Sequence, residues 1–393
     1  MMARRPKRLE PDASGAFGLA RVAVSVFALL VIFASACSST EPEEESTSLV
    51  ETVDAAAAAG RRPSASDAAE PGDQTDPGAE ESDAPSVVIG DGLLNPDGDQ
   101  DVTAESSAGT QYPEITEEIT PAPDNVRALL TPTGVLLGVT GVVSSGFVVV
   151  TPCGGQTVVS NGETVGPAQI VIDPGHGGDE AGAEDVPGLS EAALNLSLAQ
   201  ATATELRARG ISVVMIRDGD YRVPISVRAQ LADLVAPEAF MSIHHNTPAS
   251  ADSDEPGTEV YVQTQSEISR RLGGLLYEEV FGALNEFDIA WTARDDAGVL
   301  TVINDAGEDS YGINRRPSTP TALVEMAYLG NEAEAEFLGT QEYLDVGAQA
   351  LADGLERFLT TEDPGSGFVE APRIFNPSGA TGGVSGCVDP SFE

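Results

Sequence analysis

Three histidines are all that this 393-residue chain contains, and each stands at the end of a run that reads as a strand. His176 follows one in IVIDPGHGG, and His244 and His245 close another in FMSIHHN. Beside 63 acidic residues, so few imidazoles are poorly explained as surface groups. Imidazole together with carboxylate is a ligand set for zinc, which makes zinc chemistry the first hypothesis. Successive residues of a strand face opposite sides, so His244 and His245 cannot both reach one ion.

The elements that would position these residues begin near Ala168. Strand patterns at 169–172, 211–216, 240–243, around Tyr261 and at 321–328 alternate with helical patterns at 191–209, 225–235, 267–283 and 341–359. Ser190 is placed to cap the first helix, Leu194, Leu198, Ala201 and Leu206 give it an apolar face, and Gly210 ends it. This alternation predicts an α/β domain over 167–360, with a mostly parallel twisted sheet flanked by helices on both faces. Ahead of it, at 123–166, short apolar runs such as GVLLGVTG and FVVVT are separated by Pro132-Thr133-Gly134, Cys153-Gly154-Gly155 and Asn161-Gly162. That pattern predicts a small antiparallel β appendage, too short for a large core of its own. Residues 361–393 lack periodicity and are expected to form an irregular tail.

The N-terminus has the layout of an export signal, expected over 1–36. Arg4, Arg5, Lys7 and Arg8 precede an uncharged apolar run, Val22 to Ala36, which ends at Ala34-Ser35-Ala36-Cys37. Small residues before Cys37 resemble a bacterial lipoprotein processing site, so Cys37 is the candidate lipidation residue, although Ala34 stands where a larger aliphatic residue is usual. Residues 37–122 read as a disordered acidic spacer: 41–120 hold 21 acids, two bases and Tyr112 as the sole aromatic. The formal charge of -43 disfavours nucleic acid as a partner. With Cys37 set aside, Cys153 and Cys387 remain, and an exported compartment permits their pairing as a disulfide.

Four segments, IVIDPGHGGDEAGA, LSEAALNLSLA, FMSIHHN and ALVEMAYLGN, occur in that order. Together they resemble the signature segments of the zinc-dependent N-acetylmuramoyl-L-alanine amidases, the Amidase_3 type of bacterial cell-wall amidase, over about 168–359. The resemblance implies that His176, Glu191 and His244 bind one Zn2+ per chain and that Glu325 is the catalytic acid/base. Residue chemistry agrees, since two imidazoles and a carboxylate leave the fourth position of a tetrahedral zinc open to water. Ligands at strand ends and a helix start also converge beyond the carboxyl edge of a parallel sheet. Gly175, Gly177 and Gly178 are expected to let the backbone turn around His176 and to leave room for substrate.

Around that set, Asp173, Asn195, Arg228, His245 and Arg315 are candidates for substrate contact or for support behind the ligands. Asp173 is expected either to orient a ligand imidazole or to serve a cap or turn, and Asn195 to hold the loop around Asp173. His245 has three readings: lining the cleft, contacting a nearby acid, or packing. A purely structural Glu325 would need an ion pair, with Arg315 or Arg316 as partner. Asp233 replaces a frequent Asn of the family, and Ala327-Tyr328 its usual Gly-Phe. The resemblance implies hydrolysis of the bond between N-acetylmuramic acid and L-alanine in peptidoglycan or muropeptides. The expected setting is a monomer in the cell envelope, lipid-anchored to the outer face of the cytoplasmic membrane. Two other readings keep the sequence features: a zinc peptidase acting within the stem peptide, and a non-catalytic envelope-binding lipoprotein. The full His176, Glu191, His244 and Glu325 set argues against the last.

Overall fold

The segments 239–246 and 321–328 are strands buried at every one of their eight positions, as strands covered on both faces must be. The computed structural model describes residues 111–377 and 382–393 and builds a six-stranded sheet around these two strands. The expected signal 1–36, the lipidation candidate Cys37 and the spacer up to residue 110 lie outside the described residues. Among the described residues no helix is long and apolar enough to cross a membrane.

Five short strands come first: β1 (Ala128–Leu130), β2 (Leu136–Val143), β3 (Gly146–Val150), β4 (Gln156–Val159) and β5 (Glu163–Val165). They pair antiparallel in the order β4-β3-β2-β1-β5. The larger domain follows as β6 (Ile170–Pro174), α1 (Glu191–Ala208), β7 (Val213–Met215), α2 (Ile225–Val235), β8 (Ala239–Asn246), β9 (Ala251–Ser253), β10 (Glu259–Val262) and α3 (Glu267–Leu284). It continues with β11 (Trp291–Ala293), β12 (Val299–Leu300), β13 (Val302–Ile303), α4 (Gly312–Arg315), β14 (Thr321–Tyr328), α5 (Glu332–Leu338), α6 (Gln341–Thr360) and β15 (Arg373–Ile374).

The main sheet has the order β12-β10-β14-β8-β6-β7. The strands β14, β8, β6 and β7 are parallel, while β10 runs antiparallel to β14 and carries β12 parallel to itself at the edge. Leu198, Leu206, Leu276, Leu351 and Leu355 of α1, α3 and α6 pack on one face against Ile172, Ile243, Val260 and Val324. The other face is covered by α2 and Ile313 of α4, and here the β appendage joins the domain: Ala128, Leu136 and Val150 share a core with Val227 and Leu231. A Cβ at Gly138 would lie 2.7 Å from Leu234, so the missing side chain lets α2 seat directly on β2. The α/β architecture and its antiparallel appendage are therefore as the sequence predicts. The short elements α4, α5, β9 and β11–β13 are additions, since two to seven residues carry too little periodicity to read.

Cys153 and Cys387 form the expected disulfide, across 234 residues of sequence. Asp389 reinforces it by accepting hydrogen bonds from the Cys153 amide (2.7 Å), Thr151 Oγ1 (2.8 Å) and the Tyr112 hydroxyl (3.0 Å). The tail, expected to be irregular, also contributes β15, which pairs parallel to β13. Replacing Cys387 by Ser should cost about 2–5 kcal/mol of unfolding free energy. Urea denaturation measures this, and limited proteolysis should cut the variant first within 382–393; equal resistance of both proteins would show that the bridge fastens nothing.

Candidate metal centre

Side-chain alternation collects one row of polar groups on the α2 side of the sheet. Asp173 pairs with Ser242 across β6 and β8, His244 with Glu325 across β8 and β14, and Glu325 with Glu259 across β14 and β10. In each strand these positions share the parity of Val171, Phe240, Tyr261 and Leu323, which pack on that face. His176 lies two residues past β6, and Glu191 is the first residue of α1, after its Ser190 cap. An acid suits that place, because exposed amides and the helix dipole favour negative charge there.

His176, Glu191 and His244 meet with their ligand atoms all within 4.8 Å of one another, and all three are buried. Glu191 Oε1 lies 3.2 Å from His176 Nε2 and 3.0 Å from His244 Nδ1, and the rings are edge-on at 4.9 Å. Backbone amides fix the carboxylate: Ala183 donates to Oε2 at 3.0 Å and His245 to Oε1 at 3.2 Å. His176 itself sits at φ 60°, a left-handed conformation rare for residues other than glycine. The room expected at Gly175 for substrate is used by the site itself, since a Cβ there would stand 2.2 Å from His244 Cε1.

Buried cations hold the turn. Arg228 donates to Asp173 Oδ1 (2.6 Å), Pro174 O (2.7 Å) and His176 O (2.7 Å). Arg217, which sequence reasoning passed over, donates to Pro174 O (3.0 Å), Gly175 O (2.9 Å) and Ala192 O (2.8 Å), tying the turn to α1. Its only sequence signal is a charge closing the apolar run VVMI. Burial, then the neighbouring Arg228, lowers the Arg217 pKa to about 10. Asp173 is held by Arg228 and by Ser242 Oγ (2.8 Å) rather than by an imidazole. The acid beside the free nitrogen of a ligand ring is instead Glu180, 3.6 Å from His176 Nδ1 and four residues on. Asn195 holds the turn at Gly175 O (3.3 Å) and also reaches Glu191 Oε1 (3.4 Å).

Alternation turns His245 away from the cleft. It is buried on the opposite face, between Asn195 Oδ1 (2.7 Å) and the Tyr343 hydroxyl (2.5 Å), and burial lowers its pKa to about 3. Arg315 donates to the carbonyls of Asp309 and Ser310, so it is no partner for Glu325. Asp233 accepts the Ser318 and Thr319 amides ahead of β14, a local packing role. The Tyr328 hydroxyl is buried without a hydrogen bond among the described residues.

Glu325 stands out among the carboxylates of this network. It is fully buried, and neither carboxylate oxygen has a hydrogen-bond partner among the described residues. Burial first, then the charges of Glu191 and Glu259, raises its pKa well above the usual carboxylate range. For Glu191 burial acts upward, but His176 and His244 hold it well below that range. For His176 burial acts downward, while Glu191 and Glu180 raise it to about 10. Two imidazole nitrogens facing one shared carboxylate suit a divalent ion, which would replace the proton that His176 otherwise needs. The open cleft beside them is lined by His176, His244, Ile225, Tyr311, Ile313 and Leu323.

The family model described as N-acetylmuramoyl-L-alanine amidase matches residues 170–357. The chain is 31% identical over 222 residues to the N-acetylmuramoyl-L-alanine amidase AmiC of Neisseria meningitidis, covering 49% of this chain and 53% of that protein. It is 32% identical over 187 residues to the amidase LytC of Bacillus subtilis, covering 47% of this chain and 34% of LytC. The matched segment thus spans about half the length of AmiC and a third of LytC. Among solved structures, the amidase AmiC2 of Nostoc punctiforme is similar, with 29% identity, a TM-score of 0.41 and coverage of 49% of this chain and 99% of that one.

Metal uptake should be pH-dependent in a defined direction. With its pKa raised from 6.5 to about 10, His176 stabilises the metal-free fold below about pH 6.5, and that contribution is lost as pH rises through about 10. An incoming ion must displace the same proton, so apparent zinc affinity should rise about tenfold per pH unit while His176 stays protonated. Calorimetry in buffers of different ionisation enthalpy should find about one proton released per ion at neutral pH. An affinity that ignores pH would remove His176 from the ligand set.

Proposed function

We propose that residues 170–357, which the N-acetylmuramoyl-L-alanine amidase family model matches, form a domain of that family, and that the protein hydrolyses the amide between the lactyl group of N-acetylmuramic acid and the L-alanine of the stem peptide. The observation that carries this reading is a buried, unpartnered Glu325 directly across the sheet from a ligand of the His176, Glu191, His244 cluster. Zinc, held by those three side chains, would polarise the scissile carbonyl and lower the pKa of the attacking water. Glu325 takes the proton from that water and returns it to the leaving amine nitrogen. A raised pKa makes its carboxylate a stronger proton acceptor, and no hydrogen bond occupies either oxygen. Arg217 and Arg228 keep the His176 turn from relaxing, so the ligand geometry exists before substrate arrives.

Peptidoglycan or muropeptides are the proposed substrates, with the protein working as a monomer in the cell envelope. The Cys153–Cys387 disulfide supports an exported location, since such bridges persist in oxidising compartments. Lipidation at Cys37 would then hold the catalytic domain at the outer face of the cytoplasmic membrane.

Defined muropeptides incubated with the zinc-loaded protein should yield separated glycan and peptide with a free L-alanine amine, read by mass spectrometry. Glu325→Gln should lower turnover by about 10²–10⁴-fold while keeping bound zinc. Cleavage within the stem peptide would instead establish a peptidase, and full turnover by the variant would remove Glu325 from the mechanism.

A further inference from the structure

The family match stops at residue 357, yet the chain continues past α6 and returns to the cleft. Val299 and the tail exchange hydrogen bonds, from the Val299 amide to Gly367 O (2.8 Å) and from the Val369 amide to Val299 O (3.0 Å), which covers the open edge of β12. Phe368 lies under the Arg270 guanidinium at 4.3 Å, and β15 then pairs with β13. From β15, Arg373 turns inward.

Its guanidinium binds Glu259 through Nη2 to Oε1 (2.6 Å) and Nη1 to Oε2 (3.2 Å), and reaches Asp296 at 2.6 and 2.9 Å and the Tyr261 hydroxyl at 3.0 Å. Glu259 is wholly buried and sits directly opposite Glu325 in the β10–β14 ladder. Like charges at directly opposed positions repel. Arg373 therefore supplies the countercharge that leaves Glu325 as the only carboxylate of that pair without a cation bound to it. Two residues on, Phe375 packs on Tyr311 (5.8 Å between rings) and its carbonyl accepts from Ser310 Oγ at 2.6 Å. Tyr311 lines the cleft and stacks on Tyr261, the residue that Arg373 also contacts. Further along, Gly382 O accepts the amide of Ile225, another lining residue, at 3.1 Å, and Arg222 donates to Gly383 O at 2.8 Å.

We propose that this tail is a working wall of the cleft, with Arg373 and Phe375 as positioning residues: Arg373 neutralises Glu259 beside Glu325, and Phe375 fixes Tyr311 against the substrate space. The inference rests on the hydrolase reading for its kinetic consequence, but its structural content is measurable without turnover.

The test uses the full chain with three variants, Arg373→Met, Phe375→Ala and the pair Arg373→Met with Glu259→Gln. Hydrogen exchange should accelerate over 309–316 in both single variants, and over 321–328 in Arg373→Met, while 191–208 and 239–246 keep wild-type protection and zinc binds one to one. On muropeptides Arg373→Met should lower kcat by roughly tenfold to a hundredfold, with the double variant recovering most of it because the buried charge of Glu259 is gone and only the half-exposed Asp296 has lost its cation. Should Arg373→Met fail to fold, the double variant and Phe375→Ala carry the same exchange comparison. Exchange raised evenly across the domain, or unchanged at 309–316 with kcat unaltered, would reduce the tail to a fastening and overturn the proposal. A wild-type protein that shows the local exchange pattern in its variants but cleaves no muropeptide would sink the hydrolase reading and leave the tail's role standing.

Discussion

The three donor atoms can meet only if the chain after β6 turns inward at Gly175 and His176, and such a turn buries three carbonyls where water cannot serve them. Arg217, Arg228 and Asn195 take up those oxygens, with donors at 2.7–3.3 Å on Pro174, Gly175 and His176. Buried backbone groups left without partners would cost as much as lost hydrogen bonds. His176 adds a left-handed backbone, a conformation that persists only where its surroundings over-determine it. The two arginines supply that over-determination, and the gathering of His176, Glu191 and His244 is its result.

The charge arrangement follows from the same constraint. Two buried guanidinium groups behind the turn need anions, and Asp173 answers Arg228 directly at 2.6 Å. Asp173 is thereby committed to the scaffold, which is why it does not orient an imidazole. In front of the turn Glu191 and Glu180 flank His176 and raise the pKa of that ring to about 10.

Much of this was legible in the sequence because it is local. The helices at 191–208, 225–235 and 267–284 follow mainly from apolar spacing, and strands β6, β8 and β14 from short, mostly apolar runs. Four short segments bring the candidate ligand residues and Glu325 into view; the period of two says that only one of His244 and His245 can join them, and the resemblance selects His244. What could not be read depends on partners far apart in the chain. Arg217 has its acceptors on the turn and on α1 25 to 43 residues away, and Arg373 meets Glu259 across 114. Arg373 looked like one charge in a structureless tail, because nothing in RIFNP announces a buried acid waiting for it.

A carboxylate as isolated as Glu325 would ordinarily be selected against, since burying an unpaired acid costs more than one hydrogen bond returns. The strand that carries it is built to tolerate it. The β8–β14 register shifts between Glu325 and Tyr328, so three steps on β14 match two on β8. A bulge of this kind ends regular pairing and re-aims side chains beside a site. The Tyr328 amide goes to Glu334 Oε2 at 2.7 Å, and Glu334 Oε1 in turn anchors Thr292 of β11 at 2.7 Å. Regular pairing up to Glu325 and capture of the strand just after it leave the carboxylate fixed in place without giving it a partner. A rigid backbone carrying an unsatisfied acid at the edge of a metal cluster is an expensive arrangement for stability alone, and its cost is explained if the missing partner is a proton in transit.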